Sequence, residues 1–136
     1  MKARSFGEPV KEELKQILEE HKIWVESRGK RGKRANLQGA NLDSVRLYGA
    51  NLYGANLQGA ILEYADLEGA NLKGANLKDV YLEGAYLEGA YLQGAKFSIE
   101  IRKCFSFVFA FVSKEQLPWL ALHPKFAKFL PTLQIK

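Results

Sequence analysis

ANLYGANLQGAILEYADLEGANLKG, residues 50–74, repeats a five-residue unit, Ala-Asn-Leu-x-Gly, with few lapses. The unit runs unbroken from Ala35 to Ile99, thirteen times. Its centres are Leu37, Leu42, Leu47, Leu52, Leu57, Leu62, Leu67, Leu72, Leu77, Leu82, Leu87, Leu92 and Phe97. Ala stands two residues before each centre, except at Val45 and Val80. Gly stands two residues after it in nine units; Ser44, Tyr64, Asp79 and Ile99 hold that place in the others.

A period of five suits neither ordinary element. On an α-helix each successive Leu would turn by about 140° and smear around every face. On a straight strand an odd period sends alternate Leu to opposite sides. Ala and Leu, however, are two apart, as neighbours on one face of a strand are. The pattern therefore predicts a short extended piece and a bend in every unit, with Gly supplying the φ > 0 a bend needs. Bends of one sense wind the chain into a coil with Leu and Ala inside, a solenoid.

The Ala-Asn-Leu-x-Gly run resembles the pentapeptide-repeat family, whose units read A-(D/N)-L-x-x. The resemblance covers 65 of 136 residues. It implies an all-β solenoid, a right-handed quadrilateral β-helix with four units per coil, so that thirteen units make about three coils. At roughly 4.8 Å between stacked strands the coiled rod would be about 15 Å tall. The stretch EHKIWVESRGKRGKRANLQGANL, from Glu20 on, is similar to the lead-in before the first coil of bacterial members, cyanobacterial ones among them. Three segments follow: 1–34, a helical cap and basic connector; 35–99, the repeats; and 100–136, a C-terminal capping or dimerisation segment.

The chain has one cysteine, Cys104, so it forms no internal disulfide, and a lone thiol suits a reducing compartment. Neither a secretory leader nor a membrane span is read from the sequence, and a cytoplasmic location is expected. The net charge of +5 is unevenly spread. Residues 1–35 hold ten Lys/Arg against six Asp/Glu, residues 36–95 three against seven, and residues 96–136 seven against two. The middle is acidic and both ends are basic.

Val10, Leu14, Ile17, Leu18, His21, Trp24 and Val25 form one apolar stripe at helical spacing. They predict a helix from about Pro9 to Ser27, started by Pro9, stopped by Gly29 and laid over the open first coil. His21 reads as a packed helix residue, because no metal-ligand cluster accompanies it. In GKRGKR, residues 29–34, Lys30, Arg31, Lys33 and Arg34 are candidate phosphate contacts, or solvated charges of a connector.

Beyond the repeats, Phe105, Phe107, Phe109 and Phe111 alternate as one face of a strand does. This segment reads as a cap over the last coil or as a homodimer interface. Ser113-Lys-Glu-Gln116 resembles a capping box and predicts a short helix near 114–122, with another turn near 125–130.

With twenty residues per coil, residues i and i+20 stack. Asp43, Glu63 and Glu83 then form one column, and Tyr48, Glu68 and Glu88 the next. Tyr81, Tyr86 and Tyr91 replace the usual Asn in three successive units and girdle the final coil, with Ile61 beneath Tyr81. The acid columns and the tyrosines are candidate surfaces for a protein partner. No catalytic constellation, phosphate loop, metal spacing or cofactor motif is legible. The expectation is a non-enzymatic binding or scaffold module. Family members that imitate DNA and bind a type II topoisomerase supply an alternative; direct nucleic-acid binding through residues 29–34 is a weaker one.

Overall fold

The structure, a computed structural model, describes residues 11–97 and the main chain at 111–112 and 134–135. Every fifth residue turns a corner. From Leu37 to Leu92, the residue two past each centre has positive φ whether or not it is glycine: Gly39 at 65°, Gly59 at 69°, and equally Ser44 at 57°, Tyr64 at 56° and Asp79 at 58°. The next amide closes the turn on the centre's carbonyl, as from Ala40 to Leu37 (3.1 Å) and Ala60 to Leu57 (2.9 Å). Positive φ at the third of four residues is the type II pattern.

Turns of one kind at one spacing stack the chain on itself. Parallel bridges join Asn36 to Asn56, Asn41 to Ile61, Arg46 to Asp66 and Asn51 to Asn71, and then Asn56 to Asn76, Ile61 to Tyr81, Asp66 to Tyr86 and Asn71 to Tyr91. The offset is always twenty, so four units make one turn of the coil. The ladder runs through main-chain bonds such as Leu37 N–H to the Asn56 carbonyl (2.7 Å) and Asn56 N–H to the Ala35 carbonyl (3.0 Å). The straight pieces are so short that, among the described residues of the repeats, paired strands proper are seen only at β1 (Asn76–Leu77) and β2 (Lys96–Phe97).

The position before each centre has its own task. Asn Oδ1 accepts the N–H two residues on, as from Asp43 to Asn41 (3.1 Å), Gln58 to Asn56 (3.2 Å) and Lys73 to Asn71 (3.2 Å); Asp66 does the same for Glu68 (3.1 Å). A short side chain with a carbonyl oxygen suits this loop-closing bond. Leu37, Leu42, Leu52, Leu57, Leu62, Leu67 and Leu72 are fully buried along the axis, with Ala40, Ala55 and Ala60 filling beside them.

Helix α1 (Lys11–Glu26) turns the described part of the expected stripe inward, with Ile17, Leu18, Trp24 and Val25 half-buried. Leu14 joins the coil's core, Ile17 and Leu18 pack against it, and His21 is fully buried. Pro9 and Val10 lie outside the described residues. The stop differs from the expected one. Arg28 takes the left-handed conformation (φ 55°) and gives its N–H to Val25, while the Gly29 N–H reaches back to Trp24 (2.8 Å). These two bonds are a Schellman cap that begins one residue early, with Arg28 at its first left-handed position and Gly29 (φ 81°) following in the same region. The chain then folds back across the helix. Gly32 lies so close that a Cβ there would run into the Glu20 carbonyl and sit 2.6 Å from the Trp24 nitrogen.

Near the C-terminus β3 (Phe111–Val112) pairs in parallel with β4 (Gln134–Ile135). The expected strand through Phe105, Phe107 and Phe109 and the expected helices at 114–122 and 125–130 lie outside the described residues. No helix among the described residues is long and apolar enough to cross a membrane.

Candidate interaction surfaces

The register divides the rod into four sides. Side one carries Asn36, Asn56, Asn76 and Lys96; side two Asn41, Ile61 and Tyr81; side three Arg46, Asp66 and Tyr86; side four Asn51, Asn71 and Tyr91. Beside these rungs run the columns that follow each centre, in the same register: Ser44 N–H bonds the Glu63 carbonyl and Tyr64 N–H the Glu83 carbonyl, both at 2.8 Å. Asp43, Glu63 and Glu83 are thus aligned on side two. Tyr48, Glu68 and Glu88 are aligned on side three, where Asp66 adds a further carboxylate.

Asp43, Glu83 and Glu88 are exposed, and Glu63, Glu68 and Asp66 half-buried. Two carboxylates one rung apart, about 5 Å, repel by roughly 0.8 kcal/mol at the dielectric of water. Sides one and four bear Lys96, Lys78 and Lys73 instead, with Asp79 at the corner between sides one and two. Tyr81 and Tyr86 are about two-fifths exposed (39% and 40%), while Tyr91 is half-buried with the Lys73 Nζ over its ring at 5.2 Å. Ile61 is half-buried beneath Tyr81.

Lys30, Arg31, Lys33 and Arg34 are all exposed, on a loop tied to the helix rather than free of it. Ser27 Oγ accepts the Arg31 N–H (2.8 Å), and the Lys33 N–H reaches the Glu20 carbonyl (3.2 Å). His21 is a joint, as its place on the stripe suggested. The Ala35 N–H donates to its Nδ1 (3.0 Å), which puts the neutral ring's proton on Nε2; among the described residues Nε2 makes no hydrogen bond of ordinary geometry. Burial lowers its pKa below 6.5; the Tyr53 main chain opposes that shift and the Arg34 charge adds to it. Among the described residues no group of three or more His, Cys, Asp or Glu is arranged to hold a metal ion.

Two features had no forewarning in the pattern. Tyr64, at a corner where most units have Gly, lays its ring over Gly84 one turn later. Trp24 reaches across to the corner at Gly54, where a Cβ would lie 3.6 Å from the indole.

Residues 33–63 and 60–98 match the family model described as pentapeptide repeats, in eight copies. The chain belongs to the pentapeptide-repeat family. Such proteins are generally non-enzymatic and scaffold-like. Their fold is a right-handed quadrilateral β-helix, and the twenty-residue register is that coil written in hydrogen bonds. Among solved structures the chain is similar to a pentapeptide repeat protein from the Arabidopsis thaliana thylakoid lumen, with 26% identity, 66% of each chain covered and a TM-score of 0.58. It is also similar to the pentapeptide repeat protein Rfr23 from the cyanobacterium Cyanothece 51142, with 44% identity over 46% of this chain and 41% of that one, TM-score 0.42. HetL, a pentapeptide repeat protein involved in heterocyst differentiation regulation from the cyanobacterium Nostoc, is 36% identical over 47% of this chain and 35% of its own, TM-score 0.28. The chain thus spans about two thirds of the first and less than half of the other two. No curated protein matches it.

Proposed function

We propose that this pentapeptide-repeat protein is a non-enzymatic binding module whose sides two and three receive a basic protein partner. The observation that carries the reading is the alignment of Asp43, Glu63 and Glu83 beside Glu68, Glu88 and Asp66 on two adjacent sides of one stiff ladder. Unlike charges scattered on loops, these repel one another in a fixed array, and a cationic surface relieves that repulsion on docking. Tyr81 and Tyr86, on the same two sides, supply ring area of the kind that anchors interfaces. In this reading α1 caps the first of about three coils, and residues 100–136 cap the last or join two copies. The cytoplasm is its place, on the ground of its single cysteine.

A rod that imitates a DNA duplex would want acid along its whole length. Lys73, Lys78 and Lys96 on the other two sides weigh against that, and the topoisomerase reading has no observation of its own. The test is capture from native lysate with wild-type bait beside a bait carrying Glu63, Glu68, Glu83 and Glu88 changed to Gln. A basic protein retained by wild type and lost by the variant is expected. Identical lists from the two baits would sink the proposal and leave the acids a solubilising coat.

A further inference from the structure

A groove of about 460 Å³ lies where the end of α1 meets side four, away from the acid columns. Trp24, Val25, Arg28, Gly29, Tyr53 and Asn71 line it. Its size falls within the range of small-molecule sites, about 300–1,000 Å³. Its walls are built before any ligand arrives. His21 stacks on the Trp24 indole (centroids 5.5 Å apart, 15° between planes). A Cβ added at Gly29 would lie 3.5 Å from Nε1 and one at Gly54 3.6 Å from the far ring edge, so the chain passes close to the indole on both borders. A ring fixed in this way loses little freedom on binding, which is where preorganised sites gain affinity.

The polar groups of the groove are mostly donors. Arg28, an exposed residue, is the one charged residue among those lining it. Trp24 has its indole N–H. Asn71 already spends Oδ1 on the Lys73 N–H (3.2 Å), which turns its Nδ2 donors to the other side of the amide. Lys73, one rung beyond Tyr53, adds positive potential, although its Nζ is drawn to Tyr91. Two aromatic walls and a donor set centred on a guanidinium call for a flat ring carrying an acid group. We propose that this groove binds a small ring-bearing anion, an aromatic carboxylate or a nucleoside monophosphate, with the ring against Trp24 and Tyr53 and the anion on Arg28. The site is independent of the protein-docking reading of sides two and three.

The experiment is a titration of the full chain, isotope-labelled, followed by nuclear magnetic resonance at the Trp24 indole N–H and the Asn71 side-chain amide. Trp119, the other indole, serves as the reference. The probes are indole-3-acetate and adenosine 5′-monophosphate, each beside its uncharged partner, indole-3-acetamide or adenosine, and inorganic phosphate alone. At least one anion is expected to saturate at millimolar concentration or below and to bind at least about tenfold more tightly than its uncharged partner, as one charge-assisted hydrogen bond requires. Which anion binds names the ligand class. Arg28→Gly should weaken binding by about tenfold or more. It removes the guanidinium at a left-handed residue (φ 55°) that glycine adopts more easily, so loss of binding cannot be put down to unfolding. The proposal is overturned if neither anion moves the Trp24 signal at about 10 mM. It is equally overturned if the uncharged partners or phosphate alone bind as well, or if Arg28→Gly binds like wild type.

Discussion

Gly84→Ala should destabilise the rod far more than Gly39→Ala, although the two glycines occupy the same place in their units. Both have positive φ, 70° and 65°. A methyl at Gly39 meets nothing within 4 Å, so that substitution isolates the backbone effect. An L-residue in the left-handed region costs about 1–2 kcal/mol. Stiffening of the unfolded chain offsets about 0.4–1 kcal/mol of this. The net loss at Gly39 is about 1 kcal/mol. At Gly84 the same methyl runs into Cδ1 and Cε1 of Tyr64 and stands 3.2 Å from Cγ. Forcing the ring aside adds the usual overpacking cost of about 1–3 kcal/mol, for a total of about 2–4 kcal/mol.

Thermal melts followed by far-ultraviolet circular dichroism read the difference. At about 3–5 °C per kcal/mol for a chain of 136 residues, Gly39→Ala should lower Tm by about 3–5 °C and Gly84→Ala by about 6–20 °C. Comparing Gly84 with Gly84→Ala in a Tyr64→Gly background closes a double-mutant cycle. Without the ring, Gly84→Ala should fall back to the cost seen at Gly39, a coupling of at least about 1 kcal/mol. A coupling below about 0.5 kcal/mol would refute the contact and with it the twenty-residue register at that corner.

Leu67→Lys places an ammonium at a fully buried position in the middle of the coil and should abolish the cooperative melt; a wild-type transition would overturn the inward-Leu assignment. Gly32→Ala should lift the loop off α1, seen as faster hydrogen exchange at the Ala35 amide, and unchanged exchange there would show the loop does not hold the helix. His21 binds a proton less readily folded than unfolded, so stability should be full above about pH 6.5 and decline as pH falls from there to its lowered folded pKa, by at most about 1.4 kcal/mol per unit. His21→Gln should flatten that part of the profile, and an unchanged slope would assign the pH dependence to other groups.

Period and corner were legible in the sequence because they are one constraint seen thirteen times. Ser44, Tyr64 and Asp79 show its force: each accepts a left-handed φ that its side chain disfavours, since leaving the corner would break the ladder on both sides. The helix stripe was legible for the same reason, and His21 was safely read as packing because it kept the stripe's spacing. The left-handed Arg28 was not, because a residue with a Cβ pays to enter that region and only Gly29 advertised it. Nor was the groove, whose walls Trp24 and Tyr53 meet only at the docking angle of α1. The acid columns followed from the period alone. Beyond Ile99 the repeat stops, and with it the arithmetic that placed every earlier residue.

The departures from Asn before the centres now have a measurable meaning. Asn41 and Asn56 each close a local bond to the amide two residues on, at 3.1 and 3.2 Å. Ile61 has no oxygen with which to do so for Glu63. Such a bond contributes about 0.5–1.5 kcal/mol net. Half-burial of an isoleucine beneath Tyr81 returns about 1 kcal/mol. Ile61→Asn should therefore leave stability within about 0.5 kcal/mol of wild type while removing the apolar patch. If it does, and partner capture weakens, the patch is kept for contact and not for the fold. A loss above about 1.5 kcal/mol would instead make Ile61 and Tyr81 part of the rod's own packing, and the acid columns would have to carry recognition without them.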